Sequence, residues 1–99
     1  MATLNEGEIR AGLAELDGWD VVAGDRPAIT RQVKVGTFPD AVALVVRVSY
    51  EAEAADHHPD VDLRYNKVRF TLSTHSEGGV TRKDLDLAAA IQRLAPPTG

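Results

Sequence analysis

With 99 residues, no cysteine, and 43% apolar against 26% charged side chains, the chain has the composition of one folded domain, long enough for a single modest core and too short for two. Fifteen acids against eleven Lys and Arg leave a formal charge of −4, which excludes a broad basic field and sets the expectation of no nucleic-acid partner. The missing cysteines remove disulfide, thiolate and zinc-thiolate chemistry, no apolar run approaches the roughly 20 residues that span a bilayer, and the opening Met1-Ala2-Thr3-Leu4-Asn5-Glu6 lacks a signal-like apolar stretch, so a cytoplasmic protein without a membrane partner is expected.

Thr3 and Asn5 each stand three residues before a glutamate, and Ile9, Leu13 and Leu16 follow at helical spacing. A helix over roughly residues 5 to 16 is predicted, stopped by Asp17-Gly18. Trp19-Asp20-Val21 reads as a short strand, Gly24-Asp25-Arg26-Pro27 as a turn, and Ile29, Val33 and Val35 as one face of a second strand. Thr37, Pro39 and Asp40 then open a helix as cap, first-turn proline and dipole-matched acid. Its apolar positions Phe38, Ala41, Val42, Leu44, Val45, Val46 and Val48 predict a wide face lying on a sheet. The helix runs towards Ala55, with Pro59 as its stop. Val61, Leu63 and Tyr65 alternate, as do Val68, Phe70, Leu72 and Thr74, predicting a second hairpin whose apolar residues point inward. Thr81-Arg82-Lys83-Asp84 resembles a capping box, and Leu85, Ala88, Ile91 and Ala95 mark a last helix before Pro96-Pro97. The expected fold is α+β, a single domain over residues 1–99 in αββαββα order, with a four-stranded antiparallel sheet and helices on one face. The sheet face left bare, with its edge strand, invites self-association.

All three histidines, His57, His58 and His75, fall in this second half of the chain. A two-residue turn at Tyr65-Asn66 or Asn66-Lys67 extends to a register that sets His75 opposite residue 56 or 58. Directly opposed residues lie about 4.5–5.5 Å apart, so the histidines can converge at one end of the hairpin. The bland alternative is a pair of surface histidines ending a helix, where the dipole favours a cation. Metal chelation is disfavoured, because adjacent residues point in divergent directions and thiolates are lacking. General acid-base chemistry suits imidazole, which titrates near neutrality. Ser73 and Ser76 lack a Gly-x-Ser-x-Gly elbow, and Gly78-Gly79 is not a phosphate-cradling loop.

At Glu53, four residues before His57, then His57-His58-Pro59, Tyr65-Asn66-Lys67-Val68, Leu72-Ser73-Thr74-His75 and Asp84, the sequence resembles the pterin-4a-carbinolamine dehydratase family. The weaker stretch Ala14-Glu15-Leu16-Asp17-Gly18-Trp19 and the element order agree, so the likeness covers nearly the whole chain. It implies a cofactor-free hydro-lyase that removes water from 4a-hydroxytetrahydropterin to give quinonoid dihydropterin in tetrahydropterin recycling, working as a homodimer or tetramer. Carried over, it makes His57 and His75 the acid-base pair and His58 the residue that holds the pterin. Asp56, Ser73, Thr74 and Ser76 become the substrate lining and Glu53 a support. Val61 stands where an aromatic is common in the family, and Ser76 where a glutamate is frequent. Asp84 reads as a capping residue rather than a catalytic one, and Tyr65 and Phe70 as hairpin packing. The competing class is a non-enzymatic dimerisation or assembly module, since fold does not fix function.

Overall fold

The computed structural model describes residues 3–96, and its elements follow the order read from the sequence. They are α1 (Glu6–Gly12), β1 (Asp20–Val22), β2 (Ala28–Lys34), α2 (Phe38–Ala55), β3 (Asp60–Arg64), β4 (Lys67–Leu72), a 3-10 turn (His75–Glu77) and α3 (Arg82–Leu94). The strands form one antiparallel sheet in the order β1-β2-β4-β3, leaving β1 and β3 at its edges. The β3–β4 register pairs Asp60 with Thr71 and Arg64 with Lys67, which places the two-residue turn at Tyr65-Asn66.

Each helix starts where its cap predicts. Asn5 and Glu8 form the box at α1, the Thr37 hydroxyl accepts from the Asp40 amide at α2, and Thr81 with Asp84 forms the box at α3. The apolar residues of β2 and β4 turn toward α2 and α3, so that Ile29, Val33, Val68, Phe70 and Leu72 meet Leu44, Val48, Ala88 and Ile91 in one core. Burying each of the larger of these side chains contributes about 1.5–3 kcal/mol. Arg31 lies on the same sheet face, 3% exposed, and gives a hydrogen bond to Gln92 Oε1. Desolvation lowers its pKa, an effect that nearby Asp17 opposes.

Several expectations need correction. Helix α1 ends at Gly12 rather than near residue 16: beyond it the amides of Ala14 and Leu16 bond three residues back, to Ala11 O and Leu13 O, in turns rather than α-helix. Helix α2 is ended by Asp56, which adopts φ 50°, three residues before Pro59. Of its predicted apolar face, Ala41, Leu44 and Val48 are buried, whereas Phe38, Val42 and Val46 are exposed. On edge strand β3, Val61 is 42% exposed, and Tyr65, at the turn, is 70% exposed rather than packed. Pro97 of the expected stop and Met1-Ala2 lie outside the described residues. No helix among the described residues is long and apolar enough to cross a membrane.

Candidate active site

The end of α2 is built to turn the chain back under itself. Asp56 in the left-handed region lets its own amide bond to Glu53 O and the His57 amide to Ala52 O (3.0 Å), the 6→1 closure of a Schellman motif. His57 is thereby drawn inward, to 9% exposure, and its Nε2 lies 2.5 Å from Asp84 Oδ1. Asp84, the acid of the α3 capping box, is fully buried. Its second oxygen accepts from the Thr81 amide and the Thr74 hydroxyl, both at 2.9 Å. A buried carboxylate is costly unless donors surround it, and here three converge. The arrangement also sets the tautomer. With the Nε2–H given to Asp84, Nδ1 is left as the acceptor nitrogen, and among the described residues it has no protein partner and is not sealed from solvent.

His58 points the other way and stays exposed, with Nε2 2.7 Å from Glu53 Oε1. Glu53 lies on the last turns of α2, so the helix carries the carboxylate and its termination carries the ring. Beside them is a cleft of about 220 Å³ lined by Val45, Val48, Ser49, Ala52, Glu53, His58, Pro59 and Val61. Its walls are mostly aliphatic, and Val61 contributes to them from β3.

The third histidine arrives by another route than strand pairing. The β3–β4 ladder stops at Asp60 and Thr71, short of the extended register. Instead Thr74 binds Asp84, and His75 follows it on a loop closed by mutual bonds between Thr74 and Gly79: Thr74 N to Gly79 O at 2.8 Å and Gly79 N to Thr74 O at 3.4 Å. His75 is exposed and has no side-chain partner among the described residues. One carboxylate therefore binds His57 directly and the residue preceding His75.

The polar candidates divide. The Ser73 hydroxyl is turned to Pro27 O (3.1 Å) and Gly79 O, and that of Thr74 to Asp84 and Thr81. Ser76 and Asp56 are exposed. Asp84 is the residue whose contact with a histidine the sequence reading missed, because it assigned the capping role as a sufficient explanation. The two roles coexist, and the available signal was a buried-type capping acid that follows a Thr-His pair by ten residues.

On this α+β domain a buried carboxylate thus orients one imidazole, a surface glutamate holds a second, and a third has no side-chain partner among the described residues. The chain belongs to the pterin 4 alpha carbinolamine dehydratase family, whose model matches residues 2–94. A relative from Chloroflexus aggregans, provisionally named a pterin-4-alpha-carbinolamine dehydratase, is 47% identical over 94 residues, covering 95% of this chain and 98% of its own. A provisionally named Mycobacterium relative is also 47% identical, with 97% of its length covered. Among solved structures, a crystal structure of a transcriptional coactivator/pterin dehydratase from Brucella melitensis superposes with a TM-score of 0.89 at 40% identity, covering 95% of this chain and 99% of that one. A pterin dehydratase-like protein identified as a RuBisCO assembly factor in the alpha-carboxysome shares the fold, with a TM-score of 0.68 at 18% identity, covering 82% and 93%.

Proposed function

We propose that this protein dehydrates 4a-hydroxytetrahydropterin to quinonoid dihydropterin and water, the histidines supplying general acid-base catalysis. The observation that carries this reading is the 2.5 Å contact between His57 and buried Asp84. In the reaction the C4a–O bond breaks, the hydroxyl leaves as water after taking up a proton, and N5 loses its proton as the C=N bond forms. His57 Nδ1 accepts the N5 proton, and the imidazolium that results is stabilised by Asp84 at its other nitrogen. His75, with no side-chain partner among the described residues, delivers a proton to the leaving oxygen. His58, braced by Glu53, holds the ring, and Asp56, Ser73, Thr74 and Ser76 wall the substrate. The hydroxyls of Ser73 and Thr74 are already engaged, which leaves those of Ser76 and the Asp56 carboxylate as the ones free to reach a ligand.

The test is the absorbance-monitored dehydration of chemically generated 4a-hydroxytetrahydropterin, with the uncatalysed rate subtracted. Acceleration that disappears in His57→Ala and His75→Ala supports the assignment, and no acceleration by the folded parent protein refutes it.

The working unit in this reading is a single-domain cytoplasmic protein, cofactor-free and metal-independent, in a homodimer or tetramer serving tetrahydropterin recycling. The bare sheet face carries Gln32, Lys34, Lys67 and Arg69, a polar set that suits water better than a second copy. The apolar surface is on α2 instead, where Phe38, Val42, Val46 and Tyr50 recur every four residues and all are exposed. That stripe supports self-association through α2. It also favours the second reading, an assembly module acting through protein contacts, which absence of dehydratase activity would bring forward.

A further inference from the structure

The open face of the sheet is not evenly charged. Register sets Lys34 of β2 directly opposite Lys67 of β4, and Lys67 opposite Arg64 of β3. Adjacent strands lie about 4.7–4.9 Å apart, so three cations form a row roughly 10 Å long. Like charges opposed across strands destabilise a sheet. Arg64 is relieved by Asp62 at 3.0 Å, but Lys34 and Lys67 have no carboxylate partner among the described residues. In the next row Arg69 lies between Gln32 and Asp62 and donates to Thr30 Oγ1. Asp62, the one acid of these two rows, is engaged by Arg64, and further acids stand only in the row beyond, Asp20 opposite Thr30 and Asp60 opposite Thr71. One end of this face is therefore basic on a chain whose formal charge is −4.

An aromatic ring stands beside the row. Tyr65 occupies the first position of the hairpin turn with φ 51°, a region that favours glycine, yet its side chain is 70% exposed and gains little packing in return. Gln32, Asp62, Arg64, Tyr65, Lys67 and Arg69 together line a depression of about 250 Å³. Cations in a row next to an exposed ring match a phosphate anion attached to a flat base. We infer that the turn end of the open sheet face binds nucleotide phosphates, with Lys34, Lys67 and Arg64 on the phosphates and Tyr65 stacked on the base. The ligand is a free nucleotide or a nucleotide within a single strand. The net charge argued against nucleic acid for the chain as a whole, whereas the strand register concentrates four of its eleven Lys and Arg at one place. A second copy is a poorer occupant, because lysine and aspartate are depleted from interface centres.

The test is fluorescence anisotropy of the full chain with a labelled oligothymidylate and with a fluorescent ATP analogue, between about 50 and 200 mM salt. Binding is expected to weaken with salt along a log–log slope of about −2 to −3 for three or four neutralised phosphates. Lys34→Gln with Lys67→Gln should make that slope shallower by about 1.4. Tyr65→Gly, which relieves the backbone strain and so stays folded, should weaken binding about fivefold or more. Binding of the oligonucleotide alone identifies strand recognition, and binding of both probes identifies the nucleotide itself; each upholds the site. Absence of salt-dependent binding, or parental affinity in the double lysine variant, overturns it. Displacement by poly-glutamate together with parental binding by Tyr65→Gly also overturns it, in favour of an acidic polypeptide. The double lysine variant should dehydrate 4a-hydroxytetrahydropterin at the parental rate, so this test and that of the histidine site fail independently.

Discussion

His57 and Asp84 stand 27 positions apart in the chain and 2.5 Å apart in the fold, and the carboxylate that orients the ring is the one that caps α3. Orienting the imidazole and starting the helix are therefore one structural event. Replacing Asp84 with alanine strands the His57 ring N–H, the Thr74 hydroxyl and the Thr81 amide in a buried site. Thermal or urea unfolding of Asp84→Ala should show a loss of about 3–5 kcal/mol, in the range for removing one partner of a buried pair. Asp84→Asn keeps the shape and an acceptor oxygen while weakening control of the tautomer. It should stay folded and lose about 10- to 100-fold in dehydration rate, as expected for a residue that acts through another. Parental activity in a folded Asp84→Asn would show that the pair matters to folding alone.

The three histidines should separate kinetically. His57→Ala and His75→Ala should each lower the rate of the bound substrate by about 10²- to 10⁴-fold, the usual contribution of a positioned acid or base, and the double variant should be slower still. His58→Ala should raise KM more than it lowers kcat if its part is to hold the ring, as proposed. Equal effects on kcat from all three would remove that distinction.

Asp56 offers a cleaner experiment than most exposed acids. Its left-handed backbone is a conformation glycine adopts without strain, so Asp56→Gly removes the carboxylate while preserving the turn that draws His57 inward. The melting temperature should hold or rise. A raised KM in this variant would then report a lost contact with substrate, and an unchanged KM would reduce Asp56 to a backbone role.

The exposed stripe on α2 predicts an oligomer at micromolar concentration, measurable by light scattering. Val46→Glu puts a charge in the middle of the stripe without entering the core, because Val46 is 48% exposed. It should shift the protein toward monomer with little change in intrinsic stability. A parent that runs as a monomer would contradict the assignment.

How much of this was visible in the sequence depended on how far each signal had to reach. The start of α2 is local, resting on Thr37, Pro39 and Asp40, and it was legible. So was the hairpin register to within one residue. Helical spacing shows that α2 has a wide apolar face, but nothing along the chain says which part the sheet covers, and Phe38, Val42 and Val46 were placed inward when they are exposed. Alternation likewise carried Tyr65 into a strand that had already turned. Strand pairing was the expected route by which the histidines would converge, whereas the link in the fold joins His57 to the residue before His75 and runs through Asp84 and Thr74, a long-range contact that a capping motif does not announce.

The loop that bears His75 is a small closed hoop, tied at its base where Thr74 and Gly79 exchange main-chain bonds and anchored by Thr74 to the head of α3. Within it His75–Glu77 form a 3-10 turn, and the Glu77 and Gly78 amides bond back to Thr74 O. Gly78, at φ 74°, resists exchange, whereas the exposed Ser76 can be replaced without entering the core. If His75 acts as proposed, an exchange at position 76 alters the surface beside it while the ties at Thr74 and Gly79 stay intact, which makes that one position the natural place to graft altered selectivity.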